Sequence, residues 1–303
     1  MSVPRIGVHL PVFGKERGGA YGQIAEAARH AEAVGLDAVW SGDQLITGFG
    51  GPALHSGIAL ATAAAVTERV GIGFGVLILP LRPVAWVAKQ VATLQYLSGD
   101  RLSLGVGSGG TPHGAASWQA VGVPQEERGP RTDAALAVLP GLIAGEPTRL
   151  PQEPGEPVVT LAPGATVPPI LIGGNSGVAQ RRVLEHGDGW FPSSLPPETL
   201  GAEVARLRER AAERGRPAPR VVLGVMAALG EADADRAVAS LANVYRISHE
   251  QAASILLTGD ARAVADRFAA YAEAGADEIV VSFHAGAWHP QYDVLGEARS
   301  LLR

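Results

Sequence analysis

The stretch from Val70 to Gly110, VGIGFGVLILPLRPVAWVAKQVATLQYLSGDRLSLGVGSGG, constrains the fold more than any other part of this 303-residue chain. Val70 to Leu79 is aliphatic and β-branched, with Gly71, Gly73 and Gly75 interleaved. A strand apolar on both faces suits a parallel sheet covered by helices. Pro80 and Pro83 bracket the exit, and Pro83 suits the first turn of a helix. From Val84 to Leu97 the apolar residues Val84, Val87, Ala88, Val91, Leu94 and Leu97 recur at helical spacing. Ser98-Gly99-Asp100 ends that helix, and Arg101 to Val106 is a second apolar strand running into glycines. Strand, helix and parallel strand make a right-handed crossover unit. Both strand ends open onto small residues, where a flat ligand can approach the backbone.

Composition narrows the rest. With 47% hydrophobic and 18% charged residues the chain can bury a large core, and its length suits one α/β barrel or two ordinary domains. A net charge of −5 argues against a nucleic-acid partner. The absence of cysteine excludes disulfides, thiolate metal sites and cysteine nucleophiles. The opening MSVPRIGVHLP has no signal-peptide pattern, and no run of about eighteen apolar residues offers a membrane span. A soluble, cytoplasmic protein is expected.

Read in order, strands begin near residues 5, 37, 70, 101, 170, 188, 220 and 278, separated mostly by helices. Helices are expected over Tyr21–Val34, from Ser56 or Gly57 through Thr67, and over Pro130–Ala144 with a bend at Pro140. Further helices are expected after Gly173-Gly174-Asn175-Ser176-Gly177 to His186 and over Pro197–Arg214, Ala232–Tyr245, Ser248–Leu257, Ala261–Ala274 and Val294–Leu302. Thr111–Arg128 reads as a loop. Residues 146–169 hold seven prolines and one short β-like run, Val158–Leu161, an excursion from the barrel rather than a linker. Eight β/α alternations favour a (β/α)8 TIM barrel spanning residues 1–303 as one domain, with insertion segments at the C-terminal face of the strands. A doubly wound sheet is the rival. In a barrel, ligands meet the C-terminal strand ends. Here these carry His9, Asp43-Gln44, Gly75-Leu77, Gly107-Gly110, Gly173-Gly177, Pro192-Ser193, Met226 and Phe283-His284.

Among these, ILIGGNSG followed by a helix bearing Arg181 and Arg182 is the strongest signal. Glycine amides at a helix N-terminus make an anion site, to which Asn175 and Ser176 add caps and donors. The alternative is an ordinary tight turn. Gly105 to Gly110 matches G-x-G-x-x-G, but Thr111-Pro112-His113-Gly114 opens no helix behind it, so a nucleotide fingerprint is rejected. Asp43, just past a strand, is either a carboxylate facing a ligand or a loop cap. The eight histidines show no H-x-x-x-H pairing, so no metal is expected. His30, His186 and His249 fall on helices and read as structural, whereas His9, His55, His113 and His284 fall at strand ends or in the loops after them. Any of those four is placed to act as an acid or base near neutral pH. Neither Ser108 nor Ser176 lies in G-x-S-x-G, so hydrolase chemistry is poorly supported.

These segments also carry a resemblance. GVLILPLRPVAWVAKQVATLQYLSGDRLSLGVGSG, GLDAVWSGDQL, PPILIGGNSGVAQRRVLEHGDGWFP and LLTGDARAVADRFAAYAEAGADEIVV resemble the bacterial luciferase-like superfamily, and most of all its branch using the deazaflavin coenzyme F420. The resemblance covers nearly the whole chain and implies a (β/α)8 barrel and a homodimer. It also implies site residues. Asp43 would contact the ring system, and Gly75, Val76 and Leu77 would form a strand bulge, often with a non-proline cis peptide, that backs the ring. Gly107 and Ser108 would flank the cofactor. Gly173, Gly174, Asn175, Ser176, Gly177 and Val178 would bind its phosphate, with Trp190 packed beneath.

Two departures stand out. Many deazaflavin members place a proton-transfer histidine directly after the aspartate, where this chain has Gln44, and the acidic residue some carry after the strand-four glycines is replaced by Ser108-Gly109-Gly110. The catalytic set is therefore drawn from Asp43, Gln44, His55, His113 and His284. The expected function is hydride transfer between F420 and a small organic substrate. The alternatives are an FMN-dependent monooxygenase using reduced flavin and oxygen, and a flavin-binding barrel without catalysis.

Overall fold

The computed structural model describes residues 3–13, 23–46, 52–110, 114–230 and 234–302. Nine parallel strands form one sheet, and eight of them close into a barrel. These are β1 (Arg5–His9), β2 (Ala38–Ser41), β3 (Gly71–Ile78), β4 (Leu102–Gly107), β7 (Ile170–Gly173), β8 (Gly189–Phe191), β9 (Arg220–Leu229) and β11 (Glu278–Phe283). Closure runs through β9, whose first residues pair with β8 (Gly189↔Arg220) while its other edge pairs with β11 (Ile279↔Leu223). β11 in turn pairs with β1 (Ile6↔Ile279), so the rival open sheet is excluded.

The eight strands begin within a residue or two of the expected places. A ninth was not expected. β10 (Leu256–Gly259) pairs with the upper half of β9, above the point where β8 ends. Sequence periodicity ran Ser248–Leu257 together as one helix, but α9 (His249–Ile255) stops short. Gly259 and the N-cap Asp260 then start α10 (Ala261–Glu273).

Helices α1 (Ile24–Ala33), α2 (Ser56–Val66), α3 (Val84–Ser98), α6 (Gly177–His186) and α7 (Pro197–Glu213) follow strands in the expected alternation. So does α5 (Arg128–Ala144), which contains Pro140, and α8 (Ala234–Tyr245) precedes α9. Two further corrections concern helices. The loop expected over Thr111–Arg128 contains α4 (Ala116–Val121), because Trp118 buries itself against Ile78 and Leu81. The closing helix α11 (Trp288–Leu301) starts six residues earlier than expected, with Pro290 tolerated in its first turn. In the proline-rich excursion, β5 (Thr148–Arg149) and β6 (Val158–Val159) form a small antiparallel pair. The excursion is held to α3 by Lys89 Nζ to Ala162 O (2.6 Å), Tyr96 Oη to Gly164 O (2.6 Å) and Gln95 Nε2 to Thr166 O (2.8 Å). Among the described residues, no helix is long and apolar enough to cross a membrane.

The core has two layers. The larger lies between strands and helices, and the smaller fills the barrel with Ala38, Trp40, Leu171, Phe191, Val222 and Val280. Trp40 and Phe191 meet edge-on at 5.3 Å. Two strand glycines exist to admit Trp40, since a Cβ on Gly73 would come within 2.3 Å of its ring and one on Gly7 within 2.6 Å. At the barrel floor the buried Glu278 accepts from Trp40 Nε1 at 2.9 Å and pairs with Arg220 and Arg5. Desolvation raises the pKa of that carboxyl, against the pull of both arginines. The floor is thus plugged, and the open end of the barrel is the C-terminal one.

Candidate cofactor-binding site

Above Phe191 the barrel opens into a cavity of about 760 Å³. One wall is β3. Its register against β4 shifts between Phe74 and Leu77, and the Gly75–Val76 peptide is cis. Val76 therefore leaves the strand alternation and projects over the barrel axis into a socket of glycines. A Cβ would lie 2.7 Å from Val76 Cγ2 on Gly107, and 3.0 Å from Val76 Cγ1 on both Gly105 and Gly173. In the G-x-G pattern of β4, Gly107 thus makes room for Val76 and also faces the cavity, whereas Gly105 first makes room for the Phe74 carbonyl, 2.1 Å from where its Cβ would stand.

Asp43 secures this shelf from behind. Its Oδ1 accepts from Ser56 Oγ (2.8 Å) and Arg82 Nη2 (2.8 Å), and its Oδ2 from Arg82 Nη1 (2.7 Å) and the Ile78 amide (3.0 Å). Four donors fill the acceptor sites of a carboxylate. Asp43 is consequently an anchor for the bulge and for the turn after β3, and not an available base.

The neighbouring wall, just past Gly173, is the start of α6. Ser176 is its N-cap, accepting from the Ala179 amide at 3.2 Å. The amides of Gly177 and Val178 belong to the first turn, which a helix leaves without internal acceptors. Asn175 is committed elsewhere: its Nδ2 donates to Ser193 O (2.8 Å) and its Oδ1 accepts from the Ser193 amide (3.0 Å). Gly174 has a φ of +112°, which only glycine adopts readily, and its carbonyl accepts from Trp190 Nε1 at 2.8 Å. Beyond Ala179 the lining continues to Arg182, a buried guanidinium held by Asp133 Oδ1 (2.6 Å) and Gly129 O (3.1 Å). Helix dipole, first-turn amides and a guanidinium on one side of a cavity favour an anion there.

The structure brings most of the expected site residues together. Asp43, Gln44, Gly75, Val76, Gly107, Ser108, Gly173, Gly174, Asn175 and Ser176 all line the cavity. Leu77 does not, because the bulge turns it into the core between strands and helices. Gly177 and Val178 stand beside the lining in the first turn of α6. Two histidines lie off the cavity lining. His55 caps α2 by accepting from the Ile58 amide at 3.3 Å, and His284 Nε2 lies 3.1 Å from Ser240 Oγ. His113 falls outside the described residues. The histidine that does line the cavity is His9, at the end of β1, whose Nε2 would lie 3.2 Å from a Cβ on Gly75. Desolvation pushes its imidazole down from 6.5 to about 4, so it is neutral at physiological pH. Its strand-end position marked it in the sequence, but nothing there separated it from the other three. The remaining lining mixes the apolar Leu10, Phe13, Met226, Phe283 and Trp288 with Ser193, Ser194 and Ser282.

Fold and site together define a (β/α)8 barrel with a ligand cavity between a β-bulge shelf and a helix N-terminus. The family model described as luciferase-like monooxygenase matches residues 5–249. The chain belongs to this luciferase-like family, whose members are oxidoreductases. An uncharacterized protein of Mycobacterium tuberculosis is 36% identical over 172 residues, 56% of this chain and 58% of that protein. The chain thus spans little more than half the length of that relative. The 4-hydroxyprotoasukamycin monooxygenase of Streptomyces nodosus subsp. asukaensis is 30% identical over 140 residues, 45% of this chain and 36% of the enzyme. Among solved structures, an F420-dependent secondary alcohol dehydrogenase in complex with an F420–acetone adduct superposes with a TM-score of 0.83 over 98% of both chains, at 18% identity. At that identity the likeness concerns the fold.

Proposed function

We propose that this protein transfers a hydride between the deazaflavin coenzyme F420 and a small, uncharged organic substrate. The observation that carries the reading is the meeting of two features in one cavity: the Val76 shelf at the β3 bulge, and the glycine-rich start of α6. A planar ring fits against the first and a phosphate against the second, where Gly174 presents no side chain and the first-turn amides supply donors. Bound there, the deazaflavin would supply the two-electron chemistry.

The chain's own residues supply the rest. Asp43, locked to Arg82, Ser56 and the Ile78 amide, is a positioning residue that fixes the shelf. His9, neutral and at the shelf, is placed to hold or accept a proton at Nε2, taking the role left vacant by Gln44. Gln44 and Ser108 add polar contacts at the rim, and the apolar side chains Phe13, Met226, Phe283 and Trp288 favour an uncharged substrate. Arg182 favours the deazaflavin over FMN. The lining runs past the phosphate cradle to this guanidinium, held in place by Asp133, where an acidic tail would continue and a cofactor ending at its phosphate would not.

The 30% identity with a monooxygenase supports a second reading on the same fold, reduced FMN with oxygen. Anaerobic single-turnover assays separate them. The reduced deazaflavin should be reoxidised by a carbonyl or alkene substrate without oxygen, and a strict oxygen requirement would favour the second reading.

A homodimer in the cytoplasm completes the proposal. α2 is apolar nearly all round, yet Ile58 on it is 69% exposed and Trp86 on the adjacent α3 is 68% exposed. Such a face suits a second copy of the chain. Sedimentation should give a dimer that Trp86→Glu dissociates.

A further inference from the structure

Outside the cavity, the seam between the first and last helices gathers three metal-ligating side chains. His30 Nε2 lies 2.7 Å from Asp293 Oδ1, and His289 Nδ1 lies 3.6 Å from Asp293 Oδ2. Their donor atoms all fall within 4.8 Å of one another, and this is the one such cluster of three among the described residues. His289 and Asp293 stand one turn apart on α11, so helical spacing brings them to one face. His30, near the end of α1, joins them through packing of two segments that lie far apart in sequence. The absence of an H-x-x-x-H pair therefore said nothing about this site.

We propose that His30, His289 and Asp293 bind one divalent transition-metal ion of the Zn²⁺ class, tying α1 to α11. Two imidazoles and a carboxylate form a donor set that suits Zn²⁺, with water in the fourth position, whereas Mg²⁺ and Ca²⁺ favour oxygen ligands. Ligands of a tetrahedral ion with bonds near 2.0–2.1 Å stand about 3.3 Å apart. The separations of 2.7 and 3.6 Å bracket that spacing. The His30 and His289 rings are stacked at 4.0 Å and 27°, so coordination needs the exposed His289 to swing outward about its side-chain bonds. An ion pair alone accounts for His30 and Asp293. Helical spacing brings His289 to the same carboxylate, so the packing of α1 on α11 completes a set of three donors around one point.

The site lies directly behind the cavity wall. Trp288, next to His289, lines the cavity, meets the His30 ring edge-on at 5.9 Å, and donates Nε1 to Gln23 Oε1 at 2.9 Å. An ion across the seam would fix that wall from outside, whichever cofactor the cavity takes.

The test uses the full chain, freed of any affinity tag, stripped with chelator and titrated calorimetrically with Zn²⁺. One ion per chain is expected, with micromolar or tighter affinity and a rise in Tm. His289→Ala and Asp293→Asn should each weaken binding by at least about tenfold and abolish the Tm shift. His249→Ala, on an unrelated helix, should change neither. No binding at millimolar Zn²⁺, or binding that survives both substitutions, would overturn the assignment.

Discussion

Asp43 and Arg82 meet through two parallel hydrogen bonds, Nη1 to Oδ2 at 2.7 Å and Nη2 to Oδ1 at 2.8 Å, with the carboxylate side chain 2% exposed. The same Oδ2 holds the Ile78 amide at the end of the β3 bulge. One ion pair therefore ties together the end of β2, the shelf and the turn into α3.

Removing the cation should leave a buried carboxylate uncompensated. Arg82→Ala is expected to lower stability by about 3 kcal/mol and to weaken cofactor binding. Arg82→Lys should recover only part of either, because an ammonium cannot make the two-pronged contact. Urea denaturation and ligand titration of both variants measure this. Full recovery by lysine would show that charge alone matters here.

The glycine socket makes a coupled expectation. Gly107→Ala places a methyl 2.7 Å from Val76 Cγ2 and should cost about 1–3 kcal/mol while displacing the shelf. In a Val76→Ala background the same change should be nearly neutral. A double-mutant cycle on stability should give a coupling above about 0.5 kcal/mol. Additive effects would mean that the glycine serves something other than Val76.

His9 gives the pH dependence. Its pKa falls from 6.5 in the unfolded chain to about 4 in the folded one, so the native state binds fewer protons between those values. Stability from this source is complete above about pH 6.5, declines as pH drops, and levels off below about pH 4. At about 1.4 kcal/mol per unit the ceiling is about 3 kcal/mol, reduced where cavity water reaches the ring. Denaturation midpoints of His9→Asn should fall less steeply than those of the wild type between pH 6.5 and 4.5. Parallel curves would mean that His9 is not held neutral by the fold.

At the other wall, Ser176→Ala removes the N-cap of α6 and should cost about 1 kcal/mol. Gly174→Val should be worse for binding than for stability. Its Cβ would meet only Ala179, at 3.5 Å, but a φ of +112° forces the turn to rearrange. Unchanged cofactor affinity in Gly174→Val would remove the phosphate assignment.

The barrel was legible because its strands are contiguous apolar runs with glycine or proline at their ends, as in Val70–Leu79 and Ile170–Ile172. β10 was not, since Leu256-Leu257 continues a helical pattern and its identity depends on the free upper edge of β9. In the same way the α6 cradle could be found from ILIGGNSG, a local motif, whereas the Asp43–Arg82 pair joins residues 39 apart. Both residues lay inside segments that were singled out, yet no periodicity links them. The histidines divide along the same line: a strand end is visible in sequence, but which imidazole turns inward is decided by packing around Gly75.

The most direct test of the account is a titration of the purified protein with F420 and, separately, with FMN, followed by optical spectra. Tight F420 binding that is lost in Gly174→Val and weakened in Arg182→Ala, with FMN binding much weaker, is the expected result. Tight FMN binding with no affinity for F420 would contradict it.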